Sequence, residues 1–312
     1  MKDEPLVSII ITTYKRADNI DRAIKSALQQ TYSNIEIIVV DDNGMDSPYQ
    51  KITEKRVEGY VSKKQIKYIP RQHNGGGGEA RNTGIEFAKG KYITFLDDDD
   101  EYLKEKVSLQ VKCLEDGYDI CLSSMIVKKE NGVEIFPNWA YSVGDGVKDF
   151  ILNGNSYTPM IMARSDIIKK SGGFDSVKML QDHIFMLKML RLNPNLMAMK
   201  EKLYIHHIHS NERVSKNKNI DCYLLKQSME NKFISLLNTN ERVYLKFKHL
   251  KELALLYSEK KAYAKSIRIA LGTLRFVGNY KLMKEFIKLL VRVLIGPHGY
   301  NIVEKVKESK NA

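Results

Sequence analysis

A chain of 312 residues, 43% hydrophobic and 28% charged, can bury a full core as one large domain or as a domain with an appendage. Its three cysteines, Cys113, Cys121 and Cys222, lack CxxC or CxxH spacing, which argues against a disulfide framework and a structural zinc site. The net charge of +12 belongs to the tail: residues 221–312 carry 18 Lys and Arg against 8 Asp and Glu, whereas the first 220 carry 32 against 30.

The first apolar run, residues 6–11, is too short for a signal-peptide core and reads instead as a buried first strand. Ile20, Ala23, Ile24, Ala27 and Leu28 then recur at helical spacing, with Asp18 as a candidate N-cap. Residues 35–40 predict a second buried strand, ending abruptly in Asp41, Asp42, Asn43 and Gly44, and residues 67–69 a short third one. The glycine run 75–78 opens a helix to about residue 89, and residues 92–96 form a strand that ends in acids. Strand and helix alternating in this way predict an α/β fold around a mixed, mostly parallel sheet flanked by helices.

After residue 100 the pattern predicts helices over 104–115 and 182–192 and short strands over 120–127, 160–163 and 203–207. From about residue 221 strand signals stop, and residues 250–257, 263–274 and 282–295 read as helices rich in Lys and Arg. The expected division is therefore an α/β domain over 1–215 and a basic helical region over 216–312. No run approaches the roughly 18 apolar residues that a membrane span needs. The cytoplasm is the expected compartment, with the basic amphipathic tail a candidate for peripheral attachment to the inner face of a membrane. An ordinary soluble helical cap is an equal reading of that tail. Nucleic acid is not an expected partner, because no binding motif or stacking aromatic platform accompanies the charge.

Ligands bind open α/β sheets outside the carboxyl ends of the strands. Three strands here end in groups suited to a nucleotide diphosphate: Thr12 to Arg16, Asp41 to Asn43, and Asp97 to Asp100. Four adjacent carboxylates repel one another, and a hard divalent cation with oxygen ligands, Mn²⁺ or Mg²⁺, removes that cost. The plain alternative is an acidic turn in solvent. The glycine run lacks the Lys-Ser/Thr ending of a P-loop and reads as a mobile loop near the nucleotide diphosphate.

In chain order, residues 7–16 (VSIIITTYKR), 29–32 (QQTY), 38–43 (IVVDDN), 80–84 (ARNTG), 90–100 (GKYITFLDDDD) and 172–175 (GGFD), before Gln181 and Asp182, resemble the family 2 inverting glycosyltransferases over about residues 5–215. The resemblance implies the GT-A nucleotide-diphospho-sugar transferase fold, a nucleotide-sugar donor (UDP foremost) and a glycan or lipid-linked acceptor, in the synthesis of cell-surface polysaccharide. It implies roles as well. Thr12 and Tyr14 would pack on the nucleobase, with Arg16 in the same loop, and Asp42 would bond the base edge. Arg81 would lie near the nucleoside, or be an ordinary helix-start arginine. Asp97 and Asp98 would stand at the ribose and diphosphate, with Asp99 on the metal. Relatives often carry Ser or Ala where Asp98 stands.

Asp182 matches the base that deprotonates the acceptor hydroxyl, one carboxylate being enough for a single displacement. Its partner acid is replaced by Gln181, and capping of its helix is the competing role. Of His206, His207 and His209, the last best matches the histidine that relatives place near the metal. Trp139 and Tyr141 lie in a stretch open to acceptor contacts, with ordinary packing the better reading for both. Two rivals stand beside the enzyme. A non-catalytic nucleotide-sugar binder would have lost the acids or the base. A nucleotidyltransferase would show glycine after the first strand, which residues 12–16 lack.

Overall fold

The computed structural model describes residues 4–208 and 219–310, with side chains up to Gly296. Two compact units, Met1–Val214 and Ser215–Ala312, divide the chain.

In the first unit, strands β1 (Val7–Thr13), β2 (Ile35–Asp41), β3 (Lys67–Pro70) and β4 (Tyr92–Asp97) form the parallel half of one sheet, in the order β3-β2-β1-β4. Val7, Ile9, Ile10 and Ile11 are fully buried, as are Ile38, Val39 and Val40. Such near-continuous apolar runs belong to strands covered on both faces, and β-branched side chains suit the pleat. The sheet continues through β8 (Ile161–Arg164), β6 (Ile120–Lys129), β9 (Leu196–Ile208) and β5 (Glu101–Tyr102), with β7 (Glu134–Ile135) paired to β6. Pairings in this half are antiparallel except β6 with β9, so the sheet is mixed, with its longer pairings parallel, as expected.

Helices α1 (Ile20–Leu28), α2 (Pro48–Ser62), α3 (Gly77–Phe87), α4 (Lys106–Glu115), α5 (Gly146–Asn153), α6 (Ser165–Lys170) and α7 (Gln181–Leu190) alternate with these strands. Asp18 is not the cap of α1. The cap position is Asn19, which makes no side-chain cap bond, because its own backbone is already helical. β9 begins seven residues before the expected strand, the charged run Lys200, Glu201, Lys202 having hidden its pattern, and it follows β6 across a register shift.

The second unit is helical: α8 (Ile220–Asn231), α9 (Thr239–Glu259), α10 (Tyr263–Gly272) and α11 (Tyr280–Lys310), the last broken at Gly296 where φ is 73°. Asn238 and Glu241 cap α9 reciprocally. Ala254, Ala270, Leu289 and Val293 form one apolar cluster, and Phe247, Leu282 and Phe286 another. On the other face of α11, Tyr280, Met283, Ile287, Val291 and Leu294 are exposed, with Lys281, Lys284 and Lys288 exposed among them. Among the described residues no helix is long and apolar enough to cross a membrane.

Candidate active site

Register brings the polar strand ends together. Thr12 lies opposite Val40 on β2 and Asp97 on β4, and Thr13 lies opposite Asp41. The acid run then alternates: Asp97 and Asp99 keep part of their surface in solvent, while Asp98 and Asp100 are only 4% and 1% exposed. The Asp100 N–H donates to the Asp97 carbonyl at 3.1 Å and closes the turn that carries them.

Each acid has its own partner, which is how four carboxylates coexist. Asp97 accepts from Arg81 Nη2 at 2.6 Å. Asp98 faces inward, accepting from Thr13 Oγ1 at 2.7 Å, with Arg16 Nη1 3.4 Å from its other oxygen. The same guanidinium pairs with Asp99, whose backbone carbonyl accepts from Arg22. Asp100 takes the His207 N–H at 3.0 Å and lies 3.1 Å from His206 Nδ1. Burial, then the charge of Asp99, pushes the Asp98 carboxyl up to about 7, against the pull of Arg16 and Thr13. Burial likewise takes Asp100 up to about 6. Burial opposes protonation of His206, but its bond to Asp100 outweighs it and the imidazole titrates above its usual value.

The described residues contain no group of three or more His, Cys, Asp or Glu side chains arranged as a cation cage. A cage is not what this chemistry needs. Mg²⁺-type ions are commonly held by one or two carboxylates while substrate phosphates supply the remaining oxygens. The Arg16 guanidinium already rests on Asp98 and Asp99, a cation where a metal would be attracted. Asp97 and Asp99 offer the oxygen ligands that suit a hard divalent ion, each now paired with an arginine. His209 lies outside the described residues.

The neighbouring strand ends are organised differently. Asp42 is buried and its oxygens are taken: Oδ1 by Arg71 Nη1 at 2.5 Å and the Gly75 N–H at 3.0 Å, Oδ2 by Asn74 Nδ2 at 2.9 Å and the Gly76 N–H at 2.7 Å. It thereby fixes the start of the glycine run, which the sequence alone presented as mobile. Tyr14 stands exposed at the rim, its ring 5.0 Å from Lys15 Nζ. Lys15 itself holds a left-handed φ of 56°, an uncommon state for a residue with a Cβ, and its N–H donates to Asn43 Oδ1 at 2.8 Å.

Arg81 joins the acids to α7. While Nη2 holds Asp97, Nη1 donates to Gln181 Oε1 at 3.3 Å, next to Asp182. Asn82 clamps the Gly-Gly-Phe-Asp turn from the same helix, donating to the Phe174 carbonyl and accepting its N–H, both at 2.8 Å. The clamp requires glycine at 173: φ is +65°, and a Cβ there would lie 2.4 Å from Asn82 Oδ1. Phe174 stacks on Phe185 at 4.0 Å and meets Phe95 edge-on at 5.3 Å, tying α7 to β4. The cap position of α7 is Leu180, left-handed at φ 61° and without a side-chain bond. Asp182 instead accepts the His183 N–H at 2.9 Å. Burial raises its carboxyl to about 6, opposed by that bond and by Arg81, although its rim still reaches solvent. A carboxylate that ionises near neutrality is suited to taking a proton.

Thus Thr12, Arg16, Arg81, Asp97, Asp98, Asp99 and Asp182 gather around the carboxyl ends of β1 and β4, with Asp42 at the end of β2 and Tyr14 exposed after β1. The sequence did not single out Thr13, Arg22 or Arg71, and it passed over His206 for His209. Of these, Thr13 lay within a polar strand end that the sequence did mark, and Arg71 follows the end of β3. Trp139 is 37% exposed, and its ring lies 6.4 Å from His206.

Residues 8–175 match the family model for glycosyl transferase family 2. An uncharacterized glycosyltransferase of Methanocaldococcus jannaschii is 30% identical over 240 residues, covering 74% of this chain and 81% of its own. One from Rickettsia prowazekii is 31% identical over 314 residues, covering 95% and 93%. Over 110 residues, 35% of this chain and 41% of the relative, the chain is 40% identical to the Escherichia coli UDP-Glc:α-D-GlcNAc-diphosphoundecaprenol β-1,3-glucosyltransferase WfaP. The fold resembles S. aureus TarS 1–349 in complex with UDP-GlcNAc, with a TM-score of 0.59 at 21% identity, covering 93% of this chain and 80% of that one. The chain is a member of the family 2 glycosyltransferases, enzymes that transfer a sugar from a nucleotide-sugar donor.

Proposed function

We propose that residues 1–215 transfer a hexose from a UDP-sugar to a glycan or lipid-linked acceptor with inversion, in the building of a cell-surface polysaccharide. The observation that carries this reading is the Arg81 bridge, which holds Asp97 with one nitrogen and the residue beside Asp182 with the other. That bridge supports reading Asp97 as a diphosphate-facing acid connected to Asp182 as the base, whose carboxyl burial raises to about 6. UDP as the nucleotide is supported by the E. coli relative, named for UDP-Glc, and by the TarS complex with UDP-GlcNAc.

Thr12 and Tyr14 would flank the nucleobase, with Asp42 fixing the adjacent glycine loop, while Asp97 and Asp98 border the ribose and diphosphate. Asp99, with Asp97 beside it, would hold Mn²⁺ or Mg²⁺, which when bound supplies Lewis-acid charge to the leaving diphosphate. The acceptor hydroxyl oxygen attacks the anomeric carbon as its proton passes to the Asp182 carboxylate. The bond from that carbon to the diphosphate oxygen breaks, and the nucleoside diphosphate leaves with the electron pair. Arg16 and Arg81 neutralise the acids that would otherwise repel it. The exposed apolar face of α11, set among lysines, is suited to lying on an anionic membrane surface, where a lipid-linked acceptor resides.

Incubation with UDP-glucose, Mn²⁺ and a synthetic GlcNAc-diphospholipid, with UDP-N-acetylglucosamine, GDP- and dTDP-sugars as alternatives, tests the reading. A β-linked product from an α-linked donor supports it, and an α-linked product overturns inversion. Binding of a donor without transfer from any donor would favour a non-catalytic nucleotide-sugar binder.

A further inference from the structure

Trp139 sits in a single 3-10 turn, Asn138–Ala140, with over a third of its surface open. Its ring centre lies 5.8 Å from that of Tyr157 and 6.4 Å from that of His206, and the last two are 6.1 Å apart. Three distant segments thus converge on one aromatic cluster, and His206 is the ring joined to Asp100 at the end of the acid run.

The same cluster carries unused polar atoms. Asn155 donates its amide to the Trp139 carbonyl at 2.7 Å, yet its Oδ1 is buried without a partner, and so is Ser156 Oγ. Buried polar atoms are nearly always bonded, and an orphaned pair in one segment calls for a ligand or water. An open aromatic face whose neighbouring segment carries such atoms matches a sugar ring, whose C–H face packs on the aromatic while its hydroxyls meet polar groups.

We propose that Trp139, Tyr157 and His206, with Asn155 and Ser156, form the subsite that receives the pyranose ring of the acceptor. The donor sugar offers similar chemistry, but position favours the acceptor. The nucleotide-facing groups stand on β1, α3 and β4, whereas the cluster comes from residues 139, 155–157 and β9 and touches the acid run only at its last member, Asp100. The inference rests on the donor-site reading above and adds the acceptor's chemical class and its contacts.

Trp139 is the sole tryptophan in the sequence, so indole fluorescence reports on this place alone. Methyl β-D-glucopyranoside and methyl N-acetyl-α-D-glucosaminide would be titrated into the full chain with saturating UDP and Mn²⁺. The expected result is a saturable change for at least one glycoside with a midpoint of about 1–50 mM. Ser156→Ala and Tyr157→Ala keep the reporter and are expected to weaken binding by about fivefold or more, with UDP affinity, read by calorimetry, unchanged. No saturable change with either glycoside, or a change untouched by both variants, overturns the subsite. A full change with UDP-glucose and none with the glycosides assigns the cluster to the donor sugar and overturns the acceptor assignment. Failure of UDP itself to bind overturns the donor-site reading instead.

Discussion

Replacing Asp182 by Asn separates a base from a helix-capping group. Asn keeps the size of the side chain and an oxygen to accept the His183 N–H, now 2.9 Å away, so the fold and α7 should persist. The base is lost, and positioned proton transfer contributes about 10²–10⁴-fold, so kcat should fall by that factor. The wild-type pH profile supplies a second magnitude. Burial raises the carboxyl to about 6, and only the ionised form can take the acceptor's proton. A single group titrating there is mostly ionised at pH 7 and mostly protonated at pH 5, so kcat/KM should drop by about tenfold between them. Release of nucleoside diphosphate from the preferred donor, followed across pH in both proteins, reads both effects. Arg81→Gln removes a charge that favours the ionised form and should move the acid limb to higher pH. An Asp182→Asn variant within about threefold of wild-type kcat, with the acid limb intact, would show that Asp182 is not the base.

Gly173→Ala should destabilise the first unit by about 2–4 kcal/mol in thermal unfolding, because a Cβ there meets both a left-handed backbone and Asn82 Oδ1 at 2.4 Å. Lys106 is fully buried with its ammonium pushed down to about 7. The unfolded chain binds that proton more tightly, so stability should rise with pH from about 7 towards 10, and Lys106→Met should stabilise the fold near pH 7 by about 1–3 kcal/mol, read as a higher Tm, and flatten that slope. The α11 face should bind phosphatidylcholine vesicles containing phosphatidylglycerol, weaken in high salt, and lose roughly tenfold in partition in Ile287→Ser with Leu294→Ser. Unchanged sedimentation of that variant with vesicles would exclude this face.

The parallel half of the sheet was legible because its strands are runs of Ile and Val bounded by polar residues, a pattern set by burial on both faces. α2 was not, since only Gln50, Thr53 and Val57 face inward and give no apolar stripe. β5 and β7, of two residues each, exist through their partners alone. At the site, chain order located Asp97 to Asp100 and Asp182 but not what binds them. The Arg16–Asp98 and His206–Asp100 contacts join residues 82 and 106 positions apart, and local sequence carries no signal for such pairs. Asp42 illustrates the limit best. Its place at a strand end was readable, whereas its use as an anchor for Gly75 and Gly76 emerges only from tertiary structure.

Calorimetric titration of UDP-, GDP- and dTDP-sugars, with and without Mn²⁺, into the wild type and Asp99→Ala tests the central claim most directly. The expected result is metal-dependent binding of one donor class, UDP-sugars first, abolished by the substitution while the variant's thermal unfolding stays cooperative. Donor binding indifferent to both Mn²⁺ and Asp99, or no binding of any donor by well-folded protein with metal present, would contradict the placement of the donor diphosphate at these acids.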